Sequence, residues 1–107
     1  MNLLTSLFSP IKIKSLDLVN RAVMPPMGTN LGNPDGTVSE ANLAYIKRRA
    51  MGGAGLIITE ITSVHPSGSV IPNELGAFDD RFIPGLKKIS DAVHAAGSKV
   101  ALQLHHA

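Results

Sequence analysis

The sequence predicts an α/β fold, the N-terminal portion of a (β/α)₈ barrel: about three strands and two helices, preceded by a β-hairpin. Three observations predict it. Apolar runs of strand length at 21–27, 54–60 and 99–105 alternate with two amphipathic stretches of helix length. That alternation implies a parallel sheet with right-handed crossovers. Each run also ends in polar or backbone-exposing residues: Met27, Gly28 and Thr29; Thr59 and Glu60; Gln103, His105 and His106. In barrels of this kind the active site is built on the C-terminal face of the strands.

The elements follow in order. Ile11, Ile13, Leu16 and Leu18 alternate with polar residues around Lys14-Ser15, which reads as a short hairpin with one apolar face within 8–19. The run 21–27 is stopped by Pro25-Pro26. Asn33-Pro34-Asp35-Gly36 is turn chemistry, since proline presets φ and glycine accepts positive φ. Ser39 is an N-cap and Glu40 suits the positive end of a helix dipole. Leu43, Ile46 and Ala50 recur at helical spacing, so a helix spans about 39–51, and Gly52-Gly53 stop it. The run 54–60 is continuously apolar, as a parallel strand buried on both faces would be. A polar connection, 62–79, follows; it exceeds the length of about 12–15 residues beyond which loops are functional or disordered. Asp79 or Asp80 caps the next helix, with Pro84 in its first turn and Phe82, Leu86, Ile89, Val93 and Ala96 as its buried face. Gly97 ends it, and 99–105 is the third buried strand.

Composition narrows the class. The chain has 107 residues, 44% hydrophobic and 17% charged, with net charge +2, which fits one folded domain. Lys47-Arg48-Arg49 and Lys87-Lys88 read as solvated helix faces, so no nucleic-acid partner is expected. No cysteine is present, which excludes a disulfide or a thiolate metal site in these residues and fits a cytoplasmic location. The opening MNLLTSLFSP has neither a basic n-region nor a long apolar run, so no signal peptide or membrane span is expected. Glycines at 52–55 follow a helix and precede a strand, the reverse of a phosphate-binding loop. A closed barrel takes about 250 residues, so three strands are the front end of a longer protein, expected to be inactive alone. The alternative is a stand-alone half-barrel that buries its open edge against a partner.

The segments LFSPIKIKSLDLVNRAVMPPM, GLIITE and FDDRFIPGLKKISDAVHAAGSKVALQLHHA resemble the old yellow enzyme family of FMN-dependent NAD(P)H oxidoreductases, which includes 2-enoate and 2,4-dienoyl-CoA reductases. The resemblance runs over about residues 7–107. It implies an incomplete FMN-binding barrel domain across 1–107, with the hairpin 8–19 capping the barrel. It implies FMN as cofactor and NADH or NADPH as electron donor. It implies a small activated alkene as substrate, and the remainder of the barrel or a further copy as partner.

By the same resemblance Pro26, Met27, Gly28, Ile61 and Gln103 match flavin-binding positions, and His106 matches a family histidine. Many members carry threonine or cysteine at Gly28, and Thr29 stands one place later. Asn30 matches a site where some members have tyrosine. The catalytic residues and the phosphate-binding loops are expected beyond residue 107, and an Fe–S cluster only in a C-terminal extension. On the residues alone, Pro25-Pro26 also reads as a plain strand terminator and Gln103 as a core amide. Adjacent His105 and His106 point opposite ways along a strand, so no metal site is expected. Glu60 reads as a structural hydrogen-bond or ion-pair partner, and His65 and His94 as surface residues.

Overall fold

The computed structural model describes residues 3–107. A short helix, α1 (Leu3–Leu7), precedes a hairpin of β1 (Ile11–Ile13) and β2 (Leu16–Leu18). Then come β3 (Val23–Met24), α2 (Glu40–Met51), β4 (Leu56–Ser63), β5 (Leu75–Gly76), α3 (Ile83–Ala95) and β6 (Lys99–His105). β4 is the central strand. It pairs in parallel with β3 near its start, with β5 near its end, and with β6 along its other edge. The main strands therefore run β3–β4–β6 across the sheet, with β5 sharing the β3 edge of β4.

The helix boundaries follow from local chemistry. The Ser39 hydroxyl accepts the Asn42 N–H at 3.0 Å and donates to the Leu31 carbonyl, so α2 begins where an oxygen meets an orphan donor. It ends at Gly52, and Gly53 takes a φ of +99°, which glycine adopts without strain. Before α3, the Asp79 carboxylate caps a 3₁₀ turn, Asp80–Phe82, by accepting the Arg81 N–H at 2.9 Å. Neither aspartate caps α3 itself, whose N-cap position is Phe82, with no side-chain bond.

Both helices cover one face of the sheet. Ile46 and Ala50 from α2, Ile89 and Val93 from α3, Ile57 from β4 and Leu75 from β5 form the core, with Met24, Leu43 and Val100 packed against it. Each fully buried aliphatic side chain here contributes about 1.5–3 kcal/mol relative to exposure.

Several sequence-based boundaries shift. β3 is two residues, not the whole of 21–27. Asn20 Oδ1 takes the Ala22 N–H at 3.0 Å, and the prolines at 25 and 26 have no N–H to continue the ladder. β4 starts later and runs on to Ser63, so Thr59 and Glu60 lie inside it and not at its end. The connection 62–79 holds a strand, β5, and a 3₁₀ turn, Pro66–Gly68. Two residues of strand carry no readable period. Ala96 is exposed at the end of α3. β6 is only partly buried along its length, with Leu104 exposed. In the hairpin, Lys14 takes a φ of +53° at the turn, and Ile11 faces Leu18 while Ile13 faces Leu16. The pairing gives one apolar face, but of the four only Leu18 is buried.

Candidate active site

The sheet face turned away from the helices carries two of the expected site residues, Ile61 and Gln103, and a β-bulge arranges it. Ile58 pairs with Ala101, but Ile61 pairs with Gln103, so β4 spends one more residue than β6 over this interval. The helix-side contacts show what the bulge does. Thr59 faces a small cavity with Leu86, Ile89 and Ser90 of α3, and Glu60 accepts from Asn42 of α2 at 2.9 Å. Two successive residues thus turn toward the helices. Ile61 then returns to the open face opposite Gln103, and Ser63 follows opposite His105.

The expected site residues Ile61 and Gln103 are separated by 42 positions in the chain, yet they are direct cross-strand partners. Both are half-buried. The Gln103 amide makes no hydrogen bond to any described residue, so its donor and acceptor are both free. A core amide is satisfied by protein groups, and among the described residues the Gln103 amide is not.

The segment after β3 reaches the same end of the sheet. Pro26 is half-buried, and Met27 and Gly28 are exposed. The N–H groups of Met27 and Gly28 bond to nothing among the described residues. A Cβ added at Gly28 meets only the Ile71 Cδ1, at 3.8 Å, so the backbone there is open to close approach. Thr29, one place later, is bonded within the chain. Its hydroxyl donates to Glu60 Oε2 at 2.6 Å and accepts the Leu31 N–H at 3.1 Å. Asn30 sits at a φ of +57° and is tied to Asn73 by two hydrogen bonds, 3.0 and 3.2 Å.

Glu60 is a buried structural acceptor and not a paired charge. It takes Thr29 and Asn42 on one oxygen, while its Oε1 and the Asn42 Oδ1 have no partner. His65 and His94 are exposed, and His65 Nδ1 accepts the Ser67 N–H at 3.2 Å to cap the 3₁₀ turn. His105 and His106 diverge. His105 Nδ1 meets Glu74 at 3.0 Å, whereas the His106 ring packs on Gly68, where an added Cβ would come within 2.9 Å of it. The Glu74–His105 pair was not visible in the sequence, because no periodicity links positions 31 apart. Among the described residues no group of three or more His, Asp or Glu is placed to hold a metal. No described helix is long and apolar enough to cross a membrane. A concavity of about 340 Å³ lies around Phe78, Asp79 and Ile83, and none of the five expected site residues lines it.

Residues 6–107 match the model of the NADH:flavin oxidoreductase / NADH oxidase family. The chain belongs to that family. Among family relatives, an NADH oxidase from Thermoanaerobacter brockii is 45% identical over 103 residues, 95% of this chain and 16% of the relative. An NADPH dehydrogenase from Listeria monocytogenes is 40% identical over 105 residues, 97% of this chain and 31% of the relative. The fold superimposes on Old Yellow Enzyme from Pichia sp. AKU4542 with a TM-score of 0.88 and 35% identity, covering 94% of this chain and 26% of that one. Morphinone reductase in complex with tetrahydroNAD gives a TM-score of 0.86 and 37% identity, covering 94% of this chain and 27% of that one. The chain thus spans less than a third of the length of these relatives and has the fold of the N-terminal part of their barrel. The family is one of FMN- and NAD(P)H-dependent oxidoreductases.

Proposed function

We propose that residues 1–107 form the N-terminal part of an FMN-binding barrel, in a protein that transfers reducing equivalents from NADH or NADPH to an activated alkene such as a 2-enoate or an enoyl or dienoyl thioester. One observation carries the reading: Gln103, with its amide unsatisfied, stands directly across from Ile61 on the helix-free face, at the end of the sheet where Met27 and Gly28 present free N–H groups.

These groups fit a flavin. The pyrimidine edge of the ring alternates donors and acceptors, and an amide offers one of each. Free backbone N–H groups supply further donors, and Gly28 leaves room for the ring to approach the chain. Ile61 supplies apolar contact. Pro25 and Pro26 fix the backbone in advance, which lowers the entropy lost on binding. When bound, the flavin supplies hydride exchange between a nicotinamide and an alkene. The chain's own part is to hold the ring and keep one wall of the site dry.

Relatives support the donor and the substrate class. Morphinone reductase binds tetrahydroNAD, and a 2-naphthoyl-CoA reductase bound to 2-naphthoyl-CoA matches with a TM-score of 0.92 at 29% identity. The hairpin within 8–19 is proposed as a cap on the barrel, since Ile13 and Leu16 leave apolar surface there. Any Fe–S cluster would take its ligands from outside these residues, which contain no cysteine. A cytoplasmic location suits the nicotinamide donor.

The test is flavin titration of the barrel-length protein and its Gln103→Leu variant. Each hydrogen bond lost from the ring edge costs about 0.5–1.5 kcal/mol, so affinity falls about two- to tenfold per bond, or the flavin potential shifts. Unchanged affinity and potential would remove Gln103 from the site. A barrel-length protein that binds no flavin defeats the whole reading.

A further inference from the structure

On the open face, the residue next to Gln103 toward the C-terminal end of the sheet is a histidine clamped by a buried acid. β6 pairs regularly with β4 from Gln103 to His105. Both side chains therefore leave the same face, about 6.6 Å apart along the strand. The C-terminal ends of the strands are the mouth of a barrel site, so whatever enters from there reaches His105 before Gln103.

The clamp is specific. His105 Nδ1 lies 3.0 Å from Glu74 Oε1; the Glu74 side chain is 0% exposed and that of His105 27%. The other oxygen, Oε2, accepts the Val70 N–H at 2.8 Å. No lysine or arginine pairs with Glu74 among the described residues. A buried carboxylate costs free energy unless its oxygens are bonded, and here one backbone N–H and one ring nitrogen bond them. An ionised carboxylate only accepts, so Nδ1 is assigned the hydrogen. In the neutral imidazole Nε2 is then an acceptor. It bonds to nothing among the described residues, and, unlike Asn42 Oδ1 and Glu60 Oε1, it is not sealed from the surface.

We propose that His105 is a further binding residue of this site, whose Nε2 accepts a hydrogen bond from the carboxamide NH₂ of the nicotinamide donor, and that Glu74 is its positioning residue. The choice of ligand follows from the acceptor. An enoate or enoyl thioester presents only acceptor oxygens at its activated end, whereas a nicotinamide presents an N–H donor. The proposal rests on the flavin site described above.

The experiment uses the flavin-loaded, barrel-length protein. The unreactive probe 1,4,5,6-tetrahydroNAD is titrated against wild type, His105→Phe, His105→Gln and Glu74→Gln by the change in flavin absorbance. Loss of one hydrogen bond predicts about fivefold weaker binding in the phenylalanine variant. The glutamine variant keeps an acceptor and stays within about twofold. Reduced 3-acetylpyridine adenine dinucleotide, which lacks the NH₂, gives the same KM for wild type and His105→Phe. Long-range ¹H–¹⁵N spectra of the imidazole show the Nδ1–H form in wild type and its loss in Glu74→Gln, a signature that a purely structural pair would not link to probe affinity. The proposal is overturned if flavin is bound but His105→Phe and Glu74→Gln leave probe affinity unchanged, or if the wild-type ring carries its hydrogen on Nε2. Absence of flavin from the wild-type protein instead defeats the underlying site.

Discussion

The two faces of the sheet are made from the same strands and obey different rules. On the helix side, Ile57 and Val93 are 0% exposed and every neighbour is apolar or bonded, apart from the Asn42–Glu60 pair. On the other side, Ile58, Ile61 and Gln103 are half-buried, and the Gln103 amide and the His105 Nε2 have no partner among the described residues. One face is finished by its own chain and holds the fold. The other has spare hydrogen-bonding capacity and is free to bind. Alternation along a strand makes this division possible, because neighbouring residues serve opposite faces.

The largest expected contrast lies within β4. Ile57→Ala opens a cavity among Ile46, Ile89 and Val93 and should destabilise the barrel-length protein by about 2–5 kcal/mol. Ile61→Ala, on the open face, should cost well under half of that without flavin, and more when flavin is bound. Denaturant unfolding of both variants, with and without FMN, checks it. Equal losses in the apo protein would erase the distinction between the faces.

A second contrast uses glycine. A Cβ at Gly55 would lie 2.6 Å from Asn20 Oδ1 and 2.7 Å from the Asn20 backbone oxygen. Gly55→Ala therefore forces β3 and β4 apart, since the Gly55 N–H holds the Ala22 carbonyl at 2.9 Å. A cost of about 1–3 kcal/mol is expected. Gly28→Ala meets nothing nearer than 3.8 Å and should leave the apo melting temperature within about 1 °C. Its effect should appear in flavin affinity alone. Thermal melts and flavin titrations of the pair decide it.

The smallest effect concerns Asp35, in the turn before α2. Its carboxyl pKa is lowered, first by the Thr37 hydroxyl and then by the Thr37 N–H, with Arg81 adding a weaker pull. A depressed acid stabilises the fold above its unfolded pKa, and that stability fades as pH falls through the folded value. Asp35→Asn should thus flatten stability slightly between about pH 4, the ordinary range for aspartate, and lower pH. It should change nothing at pH 7 and above beyond a constant offset. A pH series of melting temperatures reads it, and a new slope above pH 6 would count against the assignment.

How much of this was legible depended on whether the signal was local. Ser39 and Gly52-Gly53 bracket α2 to within a residue, because caps are written where they act. The apolar run 21–27 is longer than the strand it makes, since apolar character at Ala22 says nothing about whether its N–H joins a ladder or bonds to Asn20. β5 is invisible in the sequence, being two residues paired to partners thirteen positions earlier. The pairing of Ile61 with Gln103 depends on a bulge that the uniform apolar run did not announce. Glu74 and His105 come together only because β5 and β6 flank the same end of β4.

That bulge also constrains how the chain can change over generations. A strand carries something like a reading frame of side chains, in which each step alternates the face addressed. Between Ile58 and Ile61 the frame is shifted once. Upstream of the shift, even-numbered positions face the open side; downstream, odd-numbered ones do. Insertion of a single residue after Glu60 would send Ile61 and Ser63 toward the helices and turn Thr62 to the open face, whereas removal of Glu60 would straighten the strand and take away the bond to Asn42. Substitutions along 56–63 can be absorbed one at a time. A change of length cannot, so this stretch should accept new letters and refuse insertions or deletions.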